Sequence, residues 1–177
     1  VDTIPAAGFS VFAEHRDYYH PDIAGTCAKH GWTFSSRVHL LNGSDSAVIR
    51  ELAGLCSGPS RGFDAEPAEW YRDWLTENSI LVLPGENGPA GYCCVGRYAD
   101  VVWIRRLAVD TVYQGRGFGA LLLAQALLYG LQSGAARGFL HVDRSNQTAI
   151  SLYEKYGFAV RDGSGERIMK RKGRQIP

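Results

Sequence analysis

Three glycines in the loop Gln114-Gly115-Arg116-Gly117-Phe118-Gly119 carry the clearest chemical signal in this chain. The loop ends an apolar strand and opens directly onto the helical run Ala120–Leu131. The first turn of a helix has backbone N–H groups without intrahelical partners, and the helix dipole adds partial positive charge there. Glycines remove the Cβ atoms that would hold an anion away from those donors, so the loop is built like a seat for phosphate. Its spacing reads Gln-x-x-Gly-x-Gly.

A second group follows in Leu140-His141-Val142 and the helical stretch after it. Strand alternation sends Leu140 and Val142 into a core and places Phe139, His141 and Asp143 on the other face. Asn146, Ala149 and Tyr153 fall at i, i+3 and i+7, so they share one face of the predicted helix Asn146–Tyr156.

The elements that must position these residues alternate from Arg37 onward. Arg37–Leu41 reads as a short strand, with Ser44 or Asp45 as cap candidate for the helix Ser46–Cys56. A loop, Ser57–Gly62, precedes a second helix over Asp64–Glu77. Strands follow at Ile80–Leu83 and Ala90–Arg97, joined by the hairpin turn Glu86-Asn87-Gly88. Val101–Val109 is the strand that leads into the glycine loop. After the long helix come the strand Gly138–Asp143 and the helix Asn146–Tyr156. The strands Phe158–Arg161 and Glu166–Arg171 close the pattern, with Gly163-Ser164-Gly165 as the turn between them. The order predicts a mixed α/β sheet flanked by helices.

Residues 1–36 stand before this pattern as an N-terminal extension, with weak helical character near Asp22–His30. They read as an extra layer over the core or the end of a preceding domain, and residues 37–177 as the main domain. The His residues of the extension (His15, His20, His30) lack a ligand spacing, so no metal site is expected. The first residue is Val1 rather than Met, so the chain reads as processed, trimmed or a piece of something longer.

Composition narrows the partners. With 45% apolar and 21% charged residues and a formal net charge of +1, the chain gives no support to nucleic acid or a membrane surface. A basic cluster near the end (Arg161, Arg167, Lys170, Arg171, Lys172, Arg174) reads as a solvated strand edge and tail. Four cysteines at 27, 56, 93 and 94 have no C-x-x-C spacing, which suits reduced thiols in the cytoplasm better than disulfides or zinc.

Two blocks together resemble the GCN5-related N-acetyltransferase (GNAT) superfamily. The first is Ile104–Gly119, with Leu107-Ala108-Val109 and the Gln-x-x-Gly-x-Gly turn. The second is Leu140–Phe158, with Ser145-Asn146, Ala149, Leu152-Tyr153-Glu154-Lys155 and Tyr156-Gly157-Phe158. The resemblance implies a mostly antiparallel twisted sheet with a splayed strand pair, here Val101–Val109 and Gly138–Asp143. It also implies acetyl transfer from acetyl-CoA to a primary amine, directly and within a ternary complex.

Under that resemblance Gln114, Gly115, Arg116, Gly117, Phe118 and Gly119 hold the pyrophosphate of CoA. Leu107, Ala108 and Val109 present backbone groups to the pantetheine arm and thioester, as an open strand edge receives an added strand. Backbone N–H groups near Val109 stabilise the oxyanion. Asn146, Ala149 and Tyr153 face the pantetheine, and Tyr153 is the general acid that protonates the leaving thiolate. Some relatives carry a glutamate in the first of the splayed strands, but Val101–Val109 has Arg105-Arg106 and no carboxylate. His141 stands where relatives that acetylate protein N-termini read Leu-Glu-Val. An imidazole, with an ordinary pKa near 6.5, suits taking a proton at neutral pH. The other reading of His141 is a histidine hydrogen-bonded on the sheet surface.

The acceptor is expected between the loop Cys56–Phe63 and Asp162–Gly165. Glu66, Glu69 and Trp70 are candidates to hold a cationic amine by charge and cation–π contact. Carboxylates in a first helical turn also favour the helix dipole, which is a competing account of Glu66 and Glu69. The acceptor is a small-molecule amine or a peptide amine. The alternatives are a protein N-terminal or lysine acetyltransferase, and a non-catalytic acyl-CoA-binding module. An exposed strand edge makes a homodimer possible.

Overall fold

The computed structural model describes residues 9–41, 46–55 and 67–171. Among these residues seven strands form one sheet in the order β2-β3-β4-β5-β6-β1-β7. They are β1 (Phe9–His20), β2 (His39–Leu40), β3 (Ser79–Gly85), β4 (Gly88–Tyr98), β5 (Val101–Val109), β6 (Arg137–Asp143) and β7 (Ala159–Arg171). Every pairing is antiparallel except β5 with β6. The mixed, mostly antiparallel sheet expected from the sequence is the observed one.

Among the described residues five α-helices flank it: α1 (Ile23–His30), α2 (Ser46–Leu55), α3 (Ala68–Glu77), α4 (Phe118–Gln132) and α5 (Gln147–Lys155). Alternation along the strands divides the core in two. Leu81, Cys93, Ile104 and Leu140 pack with residues of α1, α4 and α5 on one face. Ile80, Tyr92, Cys94 and Ala108 pack with Ile49, Leu52 and Tyr71 of α2 and α3 on the other. Helix α4 is apolar nearly all round, as its burial under α1 and against β4 and β5 requires. Gly130 lets it approach the sheet, since a Cβ there would lie 2.5 Å from Cβ of Val102.

The segment before Arg37 supplies α1, whose Ile23 and Cys27 pack into the core beside α4. It also supplies β1, which sits inside the sheet between β6 and β7. The weak helical signal near Asp22–His30 is α1, capped by Asp22, whose Oδ1 accepts from the Gly25 N–H at 2.9 Å.

The expected hairpin at Gly163-Ser164-Gly165 is also corrected. Ala159 and Val160 pair with Tyr19 and Tyr18, and Gly165–Arg171 continue antiparallel along the same β1. Because both halves use one partner strand, the chain has no reason to reverse. The glycine-containing stretch forms an irregularity in a single strand, opposite Asp17.

Candidate active site

Strands β5 and β6 pair only from Val101↔Arg137 to Ile104↔Leu140. Beyond that point they part, and the backbone edge of β5 that would meet β6 is left open. A bulge accompanies the separation: Cys94 pairs with Arg106 and Val95 with Ile104, so Arg105 is an extra residue on β5. Arg105 and Arg106 therefore both turn toward α3, with their guanidinium carbons 6.0 and 5.3 Å from the Trp70 ring centre. Leu107 falls back with Ile104 on the face of α4 and α5.

The gap opens into a cleft of ≈ 770 Å³. Leu107, Ala108 and Val109 form one wall, and His141, Val142 and Asp143 of β6 form the other. The glycine turn closes one end. Gln114 accounts for its own place there, because its Nε2 donates to the Val109 carbonyl at 3.0 Å and fixes the turn to the strand end. Gly115 and Gly117 have φ of +75° and +79°, the left-handed region that glycine enters without strain. Gly117 caps α4 with no side-chain hydrogen bond, and the first intrahelical bond is from Leu121 N–H to its carbonyl. The N–H groups of Phe118, Gly119 and Ala120 therefore have no intrahelical partner, and all three residues line the cleft.

Of the expected phosphate-seat residues, Gln114, Gly115, Gly117, Phe118 and Gly119 line the cleft. Arg116 does not; it is exposed, with its guanidinium carbon 5.5 Å from the Tyr113 ring centre. Tyr113 in turn stacks on Phe118, and Arg37 lies over the Phe118 ring at 5.0 Å. Arg37 was beyond sequence reasoning, since its stretch is far from the turn in the chain.

Asn146, Ala149 and Tyr153 reach the cleft together, with one correction. Asn146 is not a helical residue but the N-cap of α5, and its side-chain oxygen accepts from the Ala149 N–H at 3.1 Å. Asp143 sets up this cap by accepting from the Ser145 N–H at 2.7 Å, which turns the chain out of β6. Tyr153 is 7% exposed and belongs to the core cluster on the α4–α5 face. Burial pushes its phenol above the usual tyrosine range, and Cys93 nearby adds to the rise. The phenol therefore keeps its proton at neutral pH. Burial also pushes the Cys93 thiol up, which keeps it from acting as a thiolate nucleophile.

His141 projects from the opposite face of the sheet. Its ring packs edge-on against Phe139 (4.6 Å between centres) and Trp103 (6.4 Å). Its Nδ1 lies 2.6 Å from Asp17 Oδ1 of β1, a partner that no local spacing in the sequence could reveal. The cleft thus passes between β5 and β6, with Tyr153 on one side of the sheet and His141 on the other.

The expected acceptor residues are not brought into this cleft. Glu69 is exposed on α3 and pairs with Arg72 at 3.6 Å. Trp70 stacks on Trp74 beneath the two arginines. Glu66 lies outside the described residues, as does the whole loop Cys56–Phe63.

The family model of the acetyltransferase (GNAT) family matches residues 48–158, more than half of the 177 residues. A mycothiol acetyltransferase of Corynebacterium efficiens is 31% identical over 97 residues, covering 54% of this chain and 31% of that protein. The chain spans about a third of the length of that curated relative. Among solved structures, an acetyltransferase assigned to the GNAT family from Novosphingobium aromaticivorans superposes with a TM-score of 0.67 at 18% identity, covering 96% of this chain and 70% of that one. The ribosomal-protein-S18-alanine N-acetyltransferase of Escherichia coli does so with a TM-score of 0.60 at 20% identity, covering 79% and 97%. The matched stretch holds the parted strands, the glycine turn and the helix of Tyr153, and on this ground the chain belongs to the acetyltransferase (GNAT) family.

Proposed function

We propose that the protein is an acetyl-CoA-dependent N-acetyltransferase that moves an acetyl group to a small primary amine by direct transfer. One observation carries the reading: β5 and β6 part just where the glycine turn, Tyr153 and His141 meet in a single cleft. The residues present suit acetyl-CoA. The first-turn N–H groups of α4 would receive its pyrophosphate, and the open edge of β5 would receive its pantetheine amides. The 1–36 stretch belongs to the same working unit in this reading, because β1 supplies the partner of His141.

When bound, acetyl-CoA supplies a thioester whose carbonyl carbon gains the C–N bond as its C–S bond breaks, leaving an amide and the CoA thiol. His141 Nε2 takes the proton that the attacking amine loses. Backbone N–H groups of β5 near Val109 hold the charge that develops on the carbonyl oxygen. Tyr153 gives its phenolic proton to the departing sulfur and regains one from solvent. Cys93 takes no part, because it is fully buried and held in its thiol form.

The relatives' names bear on the acceptor. Several of the curated relatives are named mycothiol acetyltransferase, and in line with those names a small amine is the first reading for this chain. A peptide N-terminus is the second reading, favoured by His141 standing where N-terminal acetyltransferases place their base. Cys27 and Cys93 are buried thiols outside any disulfide, which fits a reducing compartment such as the cytoplasm. Among the described residues no helix is long and apolar enough to cross a membrane.

Calorimetric titration of acetyl-CoA, with dephospho-CoA and NAD as controls, tests the reading. One-site binding selective for acetyl-CoA is expected, followed by thiol release when amines are screened. His141→Ala should lower kcat about 10²–10⁴-fold with acetyl-CoA affinity nearly unchanged. Absence of acetyl-CoA binding would overturn the reading.

A further inference from the structure

We infer that Asp17, on the N-terminal strand, is a positioning residue that fixes the ring of His141 and the nitrogen that carries its proton. The inference rests on the proposed role of His141 as base. Asp17 and His141 are paired directly across β1 and β6, so their side chains rise side by side on one face of the sheet. Oδ1 of Asp17 and Nδ1 of His141 are 2.6 Å apart, within hydrogen-bonding distance.

Both side chains are largely shielded, at 18% exposure for Asp17 and 28% for His141. A carboxylate accepts hydrogen bonds and does not donate them, so Nδ1 must carry the hydrogen. In the neutral ring this leaves Nε2 as the lone-pair nitrogen, the one able to take a proton from an amine. The aromatic edges of Phe139 and Trp103 restrict the remaining freedom of the ring. When Nε2 takes the amine's proton, the imidazolium keeps its Nδ1–H bond to the carboxylate, which offsets the new charge. Asp17 itself gains and loses no proton.

Placement in the fold supports a dedicated role. β7 is irregular opposite Asp17: Arg16 pairs with Gly165 and Tyr18 with Val160. β1 keeps an unbroken register toward β6 from His15 to His20 while β7 absorbs the mismatch. The sheet holds its regular geometry on the side where Asp17 meets His141.

The test combines spectroscopy with rates. Long-range ¹H–¹⁵N spectra of the uniformly labelled protein should show His141 protonated at Nδ1 in its neutral form, and Asp17→Asn should convert it to a tautomer mixture. Thiol release from acetyl-CoA is followed with the fastest amine of the screen, or with water if no amine exceeds it. Asp17→Asn should lower kcat at least about tenfold, and by no more than His141→Ala, with acetyl-CoA affinity held. On the His141→Ala background it should add nothing. Asp17→Glu, which retains a carboxylate, should recover part of the loss.

A wild-type His141 protonated at Nε2, or exchanging freely between tautomers, overturns the inference without any variant. Wild-type kcat in Asp17→Asn beside a slow His141→Ala also overturns it and leaves His141 as base. Wild-type kcat in both variants removes the base reading as well.

Discussion

Tyr153 and His141 line one cleft from opposite faces of a single sheet, the phenol among the core side chains of α4 and α5 and the imidazole beside Trp103 and Phe139. A thioester lying between β5 and β6 would offer its carbonyl to one face and its sulfur to the other. Proton removal and proton delivery are then separated by the thickness of the sheet, so the two groups need not exchange a proton directly. Tyr153→Phe keeps the ring and removes the proposed acid. It should lower kcat by about 10²-fold or more while acetyl-CoA affinity stays within twofold of wild type, read by calorimetry and steady-state rates. Because the phenol is shifted upward by burial, its protonated form persists through the weakly alkaline range. The rate should therefore show no loss between pH 7 and 9 attributable to this group. Unchanged kcat in Tyr153→Phe would remove Tyr153 from the reaction.

The glycine turn makes a separable prediction. At Gly117 the φ of +79° costs an alanine about 1–2 kcal/mol, and its Cβ would project into the open space above the first turn of α4. Gly117→Ala should weaken acetyl-CoA binding about tenfold, since each 1.4 kcal/mol is a factor of ten. Gly119→Ala should do less. Gly119 has ordinary helical φ, and a Cβ there would make ordinary contacts with Leu152 at 3.4 Å and Leu107 at 4.0 Å. Equal effects of the two substitutions, read by titration, would show that backbone conformation is not what suits the turn to its anion.

The sequence made the site legible wherever the relevant contacts are local. The bounds of β5, the start of α4 at the glycine turn and the shared reach of Ala149 and Tyr153 follow from spacing within short stretches. What stayed hidden depends on pairings between distant residues. β1 enters the sheet between β6 and β7 because its edges match them, and nothing near Asp17 announces His141 as its neighbour. Adjacent arginines in an otherwise alternating strand are the available sign of the bulge at Arg105. The hairpin at Gly163-Ser164-Gly165 failed for a related reason. Turn chemistry is permissive, and the presence of β1 as a common partner decided that the chain runs straight on.

The contact between Gly130 and Val102 bears on stability rather than chemistry. A Cβ at Gly130 would lie 2.5 Å from Cβ of Val102 and 2.8 Å from each of its methyls. Gly130→Ala must push α4 off β5 or displace the strand, at a net cost of about 1–3 kcal/mol despite alanine's better helix propensity. Urea unfolding should show the loss as a lower midpoint. Trimming the partner, in the double variant Gly130→Ala with Val102→Ala, should recover part of it. A single variant as stable as wild type would mean the helix can move away freely.

His20 gives the protein a pH dependence that can be worked out in sign. Its Nδ1 accepts from the Asp22 N–H at 3.2 Å, and its Nε2 lies 2.9 Å from Thr26 Oγ1, so the hydrogen sits on Nε2. Burial lowers its pKa below the ordinary 6.5, outweighing the opposing effects of a bond to the Tyr156 backbone and the charge of Asp22. Below pH 6.5 the unfolded chain binds a proton at this position that the folded one resists. Stability should therefore be full above pH 6.5 and fall as the pH drops below it, levelling only once the folded-state ring itself titrates. Proton addition would also break the bond from Asp22 N–H, loosening the link between β1 and α1. Urea midpoints measured from pH 8 to pH 5 should show this limb. In His20→Phe, which keeps a ring against Phe158 but has no proton to bind, the contribution of this site should vanish. A limb of unchanged depth in that variant would assign the pH dependence to other groups.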